Sequence, residues 1–105
     1  MFNFFGPKNS MNAKDFVEIM KDVDVLDVRG EEEISQDERN YFPSYKVIPL
    51  PQLESRIDEL EKDKKYYIMC RSGSRSVSAG KILDKAEIEN VVVKGGIIGV
   101  IQWAR

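Results

Sequence analysis

The chain has 105 residues, with one cysteine, no histidine, and 16 Lys and Arg against 18 Asp and Glu for a formal net charge of -2 at pH 7. That length is expected to make a single domain over residues 1–105, burying about 60–70% of its unfolded surface. The counts exclude an internal disulfide, a multi-thiolate zinc site, a Ser-His-Asp triad and a Cys-His pair, and they lack the basic excess of a nucleic-acid binder.

The opening residues, MFNFFG, carry too short an apolar stretch for a signal peptide, with no Lys or Arg before it. No apolar run approaches the ~20 residues that span a bilayer. The expectation is a cytoplasmic chain, without a membrane partner, in which a lone thiol stays reduced. Phe2, Phe4 and Phe5 read as a strand or cap packing onto the domain, or as an oligomer contact; the oligomeric state is open.

Asn12 to Lys21 is predicted as a first helix, with Asn12 as N-cap and Phe16, Ile19 and Met20 at i, i+3, i+4. Asp24 to Val28 has the short apolar character of a buried strand. Glu31 to Arg39 reads as a solvated loop or helical turn. Glu31, Glu32 and Glu33 do not suit a metal, because consecutive carboxylates diverge. Asn40 to Pro51 suggests a loop entering a short strand, Lys46 to Ile48. Pro51 suits the first position of a helix with Leu53, Ile57 and Leu60 as its apolar stripe and Asp58 and Lys62 paired on the other face. Lys62 to Lys65 is a polar turn, and Tyr66 to Met69 is a strand delivering Cys70 at its end.

Ser74 or Ser76 is a candidate cap for the next helix, which runs to about Lys85 with Ala79, Ile82, Leu83 and Ala86 as its buried face. Gly80 marks close packing on the sheet. Val91 to Val93 is another buried strand, followed by Gly95 and Gly96. Ile97 to Arg105 fits a final helix in length, yet it is β-branched and contains Gly99. Strands alternating with helices imply an α/β domain with a mainly parallel sheet.

The segment Cys70-Arg71-Ser72-Gly73-Ser74-Arg75-Ser76 stands between a strand and a helix, where open α/β sheets place ligand sites. Its small residues allow a tight curl whose N–H groups make an anion nest, the following helix adds its positive end, and Arg71 and Arg75 add permanent charge. A cysteine at the rim of such a cradle is expected to be deprotonated by its field, so that no histidine base is needed. The competing reading is an inert buried thiol, the common fate of a free cysteine. Polar and cationic neighbours favour the reactive, accessible one.

With these residues in view, the chain resembles the rhodanese-like domain family of sulfurtransferases from about Met11 to Trp103. Leu26-Asp27-Val28-Arg29 is similar to the family's first-strand signature, and Ile48-Pro49-Leu50-Pro51 to its entry into the second helix. Tyr67 to Ser76 is similar to its active-site loop, and Val91 to Gly96 to its closing strand and paired glycines. The resemblance implies a five-stranded, mostly parallel sheet with helices on both faces. It implies Cys70 as the nucleophile that takes up sulfane sulfur as a persulfide. The backbone of Arg71, Ser72, Gly73, Ser74 and Arg75 would cradle that sulfur or the donor's anionic group. The side chains of Arg71 and Arg75 would attract thiosulfate or a similar anion, and Asp27 and Arg29 would be structural supports. No cofactor or metal is implied. The partners are a small anionic sulfur donor and a thiol or protein acceptor.

Four residues separate Cys70 from Arg75. The related arsenate reductases and phosphatases carry one more, making a wider cradle for a tetrahedral oxyanion. A leaving sulfite also needs little protonation, whereas an alkoxide would want a general acid. A sulfurtransferase is therefore the expected activity, with a sulfur-carrier or regulatory module of the same fold as the alternative. Tyr41 stands where the family has histidine, Glu87 where it has glycine after the active-site helix, and Trp103 is displaced from the family's tryptophan, which aligns nearer Val100.

Overall fold

The computed structural model describes residues 9–104. Phe2, Phe4 and Phe5, for which a packing role was expected, lie outside them. Five short strands, Ser10–Asn12 (β1), Asp24–Asp27 (β2), Ser44–Val47 (β3), Lys65–Met69 (β4) and Glu89–Lys94 (β5), form one sheet in the order β1-β5-β4-β2-β3. Every pairing is parallel. Helices Ala13–Phe16 (α1), Gln36–Arg39 (α2), Leu50–Leu53 (α3), Ser74–Lys85 (α4) and Gly96–Ala104 (α5) complete it.

Both sheet faces are covered, which is why the strands read as apolar runs. Leu26, Val28, Ile68 and Cys70 pack with Leu53, Leu60, Ala79 and Leu83 beneath α3 and α4. Val25, Met69 and Val93 point the other way and pack with Phe16, Phe42, Ile97 and Val100 beneath α1 and α5. Each fully buried Leu, Ile or Phe among them contributes about 1.5–3 kcal/mol by leaving water. Gly80 lets α4 settle on the sheet as expected: a Cβ there would stand 3.1 Å from Asn90 Oδ1 and 3.3 Å from Val92 Cγ2.

Several local expectations are corrected. Asn12 ends β1, an element the sequence reading lacked, and its side chain makes no capping hydrogen bond. The helix after it stops at Phe16 and gives way to turns rather than reaching Lys21. The third strand is Ser44–Val47, earlier than Lys46 to Ile48. The helix at Pro51 is a single turn, because Ser55 donates to the Gln52 carbonyl and Arg56 leaves helical geometry at φ -113 and ψ 16. A 3-10 turn at Ile57–Glu59 follows, so Asp58 and Lys62 are not paired along one helix. Leu53 and Leu60 are nonetheless buried. The C-terminal ambiguity resolves as helix, because a Cβ on Gly99 would stand 2.7 Å from Ala13 Cβ and glycine lets α5 close onto α1. Among the described residues, no helix is long and apolar enough to cross a membrane.

Candidate active site

Cys70 follows directly on β4, and the loop from Arg71 to Gly73 leads into α4. Three features set its shape. Gly73 occupies the N-cap position of α4 at φ 116, a conformation open to glycine, so neither Ser74 nor Ser76 is the cap. Ser76 is buried instead and donates its hydroxyl to the Ile68 carbonyl at 3.3 Å, tying α4 to β4. The Gly73 N–H donates to Cys70 Sγ at 3.0 Å.

The start of α5 constrains the loop further. The carbonyls of Cys70 and Arg71 accept from the N–H groups of Ile97 (2.8 Å) and Ile98 (3.2 Å). In a trans peptide the carbonyl and the N–H point in opposite directions. Fixing these two carbonyls toward α5 therefore turns the N–H groups of Arg71 and Ser72 away from it. Gly96 makes this approach attainable, since a Cβ there would lie 2.5 Å from both carbonyl oxygens. The first four N–H groups of α4 have no partner within the helix, and its dipole places partial positive charge at the same point.

The thiol itself is less open than expected. Cys70 is 1% exposed and belongs to the core cluster beneath α4. The inert-thiol reading described its burial well, although the hydrogen bond from Gly73 sets it apart from a purely apolar setting. Arg71, Ser72 and Ser74 are exposed, while Gly73 and Arg75 are half-buried.

Asp27 and Arg29 meet at the end of β2. Asp27 accepts from the Arg29 N–H (3.0 Å), Nε (3.0 Å) and Nη2 (2.7 Å), and from the Tyr45 hydroxyl (2.7 Å). Both residues are buried, and Arg29 Nη1 reaches Glu38 at 2.7 Å. Burial alone would lower the Arg29 pKa, but its hydrogen bonds to the Asp27 and Glu38 carboxylates outweigh it and raise the pKa. Burial, then the Asp27 charge, raises the Tyr45 pKa. Tyr45 thus stays neutral and donates.

The charged stretch after β2 is more than a solvated loop. Its 3-10 turn, Glu31–Glu33, carries Glu33 to Arg75, whose Nη1 and Nη2 each donate to it at 2.8 Å. Glu33 was not singled out by the sequence, because nothing in a run of three glutamates marks which one faces the loop. The paired glycines were visible, but not that the second one presses against the Cys70 carbonyl. Tyr41 packs edge-on against Phe42 at 5.9 Å on the α1 and α5 side of the sheet. It lines neither cleft flanking the loop.

Two clefts adjoin the loop. One, of about 430 Å³, is lined by Ser10, Ser72, Gly73, Lys94 and Gly95 among others. The other, of about 450 Å³, lies between Val28, Pro49, Leu50 and the Glu33–Arg75 pair. Among the described residues, no group of three or more Cys, Asp or Glu side chains converges on a metal-sized site.

Residues 12–101 match the family model for the rhodanese-like domain, and the chain belongs to that family. It is 32% identical over 85 residues to YtwF of Bacillus subtilis, assigned as a sulfurtransferase, covering 81% of this chain and 80% of that one. It is 34% identical over 87 residues to YrkF of the same organism, assigned as a sulfur carrier protein, covering 82% of this chain but 45% of YrkF. The crystal structure of a rhodanese-related protein from Thermoplasma volcanium superposes with a TM-score of 0.77 at 35% identity, covering 90% of this chain and 91% of that one.

Proposed function

We propose that this rhodanese-like chain is a single-domain sulfurtransferase that moves sulfane sulfur from a small anionic donor such as thiosulfate to a thiol or protein acceptor through a persulfide on Cys70. The observation that carries the reading is the hydrogen bond from the Gly73 N–H to Cys70 Sγ, inside a loop whose Cys70 and Arg71 carbonyls are held toward α5. The hydrogen bond and the helix terminus behind it set partial positive charge against the sulfur.

In the first half-reaction the deprotonated Cys70 attacks the outer sulfur of thiosulfate. A new S–S bond forms, the donor's S–S bond breaks, and sulfite leaves with the bonding pair. Charge balances without a proton, which suits a site lacking histidine. The terminal persulfide sulfur, one bond further out than the thiol, would take its hydrogen bonds from the backbone of Arg71, Ser72, Gly73, Ser74 and Arg75. In the second half-reaction a nucleophile takes that outer sulfur, and Cys70 leaves as the thiolate. With cyanide the product is thiocyanate. Arg71, exposed beside the nucleophile, draws the donor in. Asp27 and Arg29 act from beneath, as supports of the turn that faces the loop.

Steady-state transfer from thiosulfate to cyanide tests this reading. Double-reciprocal plots at several donor concentrations are expected to be parallel, as double displacement requires. Intersecting lines would rule out a free persulfide intermediate. The similarity to YrkF supports a second reading, a sulfur carrier without turnover. It predicts that Cys70 loads once and that small acceptors do not restore it.

A further inference from the structure

The two arginines of the loop have different surroundings. Arg75 fills Nη1 and Nη2 with the Glu33 carboxylate, two parallel bonds of 2.8 Å each across the 42 residues that separate the two in sequence. Bidentate guanidinium–carboxylate pairs of this kind are directional and strong for their size. Glu33 is itself fixed twice more. Its Oε2 accepts from the Gly30 N–H at 2.9 Å, and its carbonyl accepts from Arg29 Nη1 at 3.4 Å. Arg29 in turn is locked by Asp27, and Asp27 by Tyr45. A continuous polar chain therefore runs from the interior, through Glu33, to Arg75 on the first turn of α4. Arg71, by contrast, is exposed and pairs with no acid among the described residues.

We propose that Glu33 is a positioning residue that commits Arg75 to the frame of the loop, leaving Arg71 as the charge that selects an anionic donor. The proposal rests on the sulfurtransferase reading and divides between two residues what a cationic loop would otherwise share. For a donor anion to take the bidentate edge of Arg75, it would have to displace a carboxylate already held by a backbone N–H. The Glu33 carboxyl is held down at about 2, first by its hydrogen bonds from Arg75 and then by Gly30, so it does not yield by protonation near neutral pH. Paired with Glu33, Arg75 adds less to the field at Cys70 than a free cation would, beside the partial positive charge of the α4 terminus. Glu33 thereby sets the loop's net charge at one cation rather than two.

The experiment measures the rate of Cys70 sulfur loading against thiosulfate concentration in Arg71→Gln, Arg75→Gln, Glu33→Gln and the double variant Glu33→Arg with Arg75→Glu. Arg71→Gln is expected to raise the half-saturating thiosulfate concentration about 10-fold, as loss of one charged contact does. Arg75→Gln and Glu33→Gln are expected to lower the maximal rate severalfold, with half-saturation shifted less than about 2-fold. The double variant keeps the pair with its polarity reversed and is expected to recover most of that rate. A half-saturation that rises in Arg75→Gln as much as in Arg71→Gln would overturn the proposal. So would a double variant that melts like the native protein but does not load.

A second measurement is independent of sulfur transfer. Alkylation of Cys70 by anionic iodoacetate is compared with alkylation by neutral iodoacetamide, and the ratio of rates reports free charge beside the thiol. The ratio is expected to fall in Arg71→Gln and to stay within about 2-fold in Arg75→Gln. The opposite pattern would reject the division of roles. Failure of the native protein to load sulfur, with the alkylation pattern intact, would reject the sulfurtransferase reading and leave the positioning role standing.

Discussion

At its C-terminal end α4 is closed by its own neighbours, and at its N-terminal end by residues far away in sequence. After Lys85 the chain turns through Ala86 and Glu87. The Ile88 N–H returns to the Leu83 carbonyl at 2.9 Å and the Glu87 N–H to the Asp84 carbonyl at 3.0 Å. This is the paired pattern of a Schellman motif, with Glu87 in the left-handed region at φ 63. The other end meets Glu33, Gly95, Gly96, Ile97 and Ile98, all reached through tertiary structure. A local closure stabilises the helix and little else. A long-range closure makes the geometry around Cys70 depend on the whole sheet.

That difference can be probed by substitution, and the long-range end should respond most. Asp27→Ala leaves Arg29 buried without its main partner, and the expected loss of stability is about 3–5 kcal/mol. Chemical denaturation would measure it, and a loss under about 1 kcal/mol would mean that Glu38 alone can satisfy Arg29. Gly96→Ala combines a left-handed backbone at φ 56 with a Cβ 2.5 Å from the Cys70 and Arg71 carbonyls. An expected cost of about 2–4 kcal/mol follows from the conformation and the overlap together. Sulfur loading should fall further than the stability loss explains, because those carbonyls orient the loop.

The local end should respond in the opposite sense. Glu87→Gly removes the left-handed penalty and should raise stability by about 1 kcal/mol, with sulfur loading unchanged. Thermal melts and loading rates measured together would show whether the two ends are separable. The smallest effect concerns acid. The Glu33 carboxyl is lowered to about 2 from 4.5, mainly by Arg75. Because the folded value is the lower one, its contribution is complete above about pH 4.5 and disappears as pH falls toward 2. Glu33→Gln should therefore trail the native protein by less than about 1 kcal/mol at neutral pH. The gap should close between those two values, and a constant gap down to the lower pH would place the effect elsewhere.

The same contrast explains what could be read in advance. Strand periods, the α4 stripe of Ala79 and Leu83, and the position of Cys70 after a strand are local patterns. They gave the α/β architecture, and the motif resemblance gave the family. Closures that depend on tertiary approach were not legible. Ser74 and Ser76 have capping chemistry, yet Gly73 takes that place because the loop must turn through a left-handed residue. Nothing near Glu33 announces Arg75, and nothing near Gly96 announces the Cys70 carbonyl. The expected exposure of Cys70 failed for a related reason. Polar neighbours in sequence say that a loop is solvated, while Cys70, the residue after β4, keeps the strand's alternation and sends the thiol under α4.

The central claim is that Cys70 accepts a sulfur atom, and the intact mass of the reduced protein before and after incubation with thiosulfate tests it most directly. The account predicts a gain of one sulfur atom in the native protein, its removal by cyanide, and no gain in Cys70→Ser. An unchanged native mass with thiosulfate, a polysulfide and a low-molecular-weight persulfide alike would contradict it.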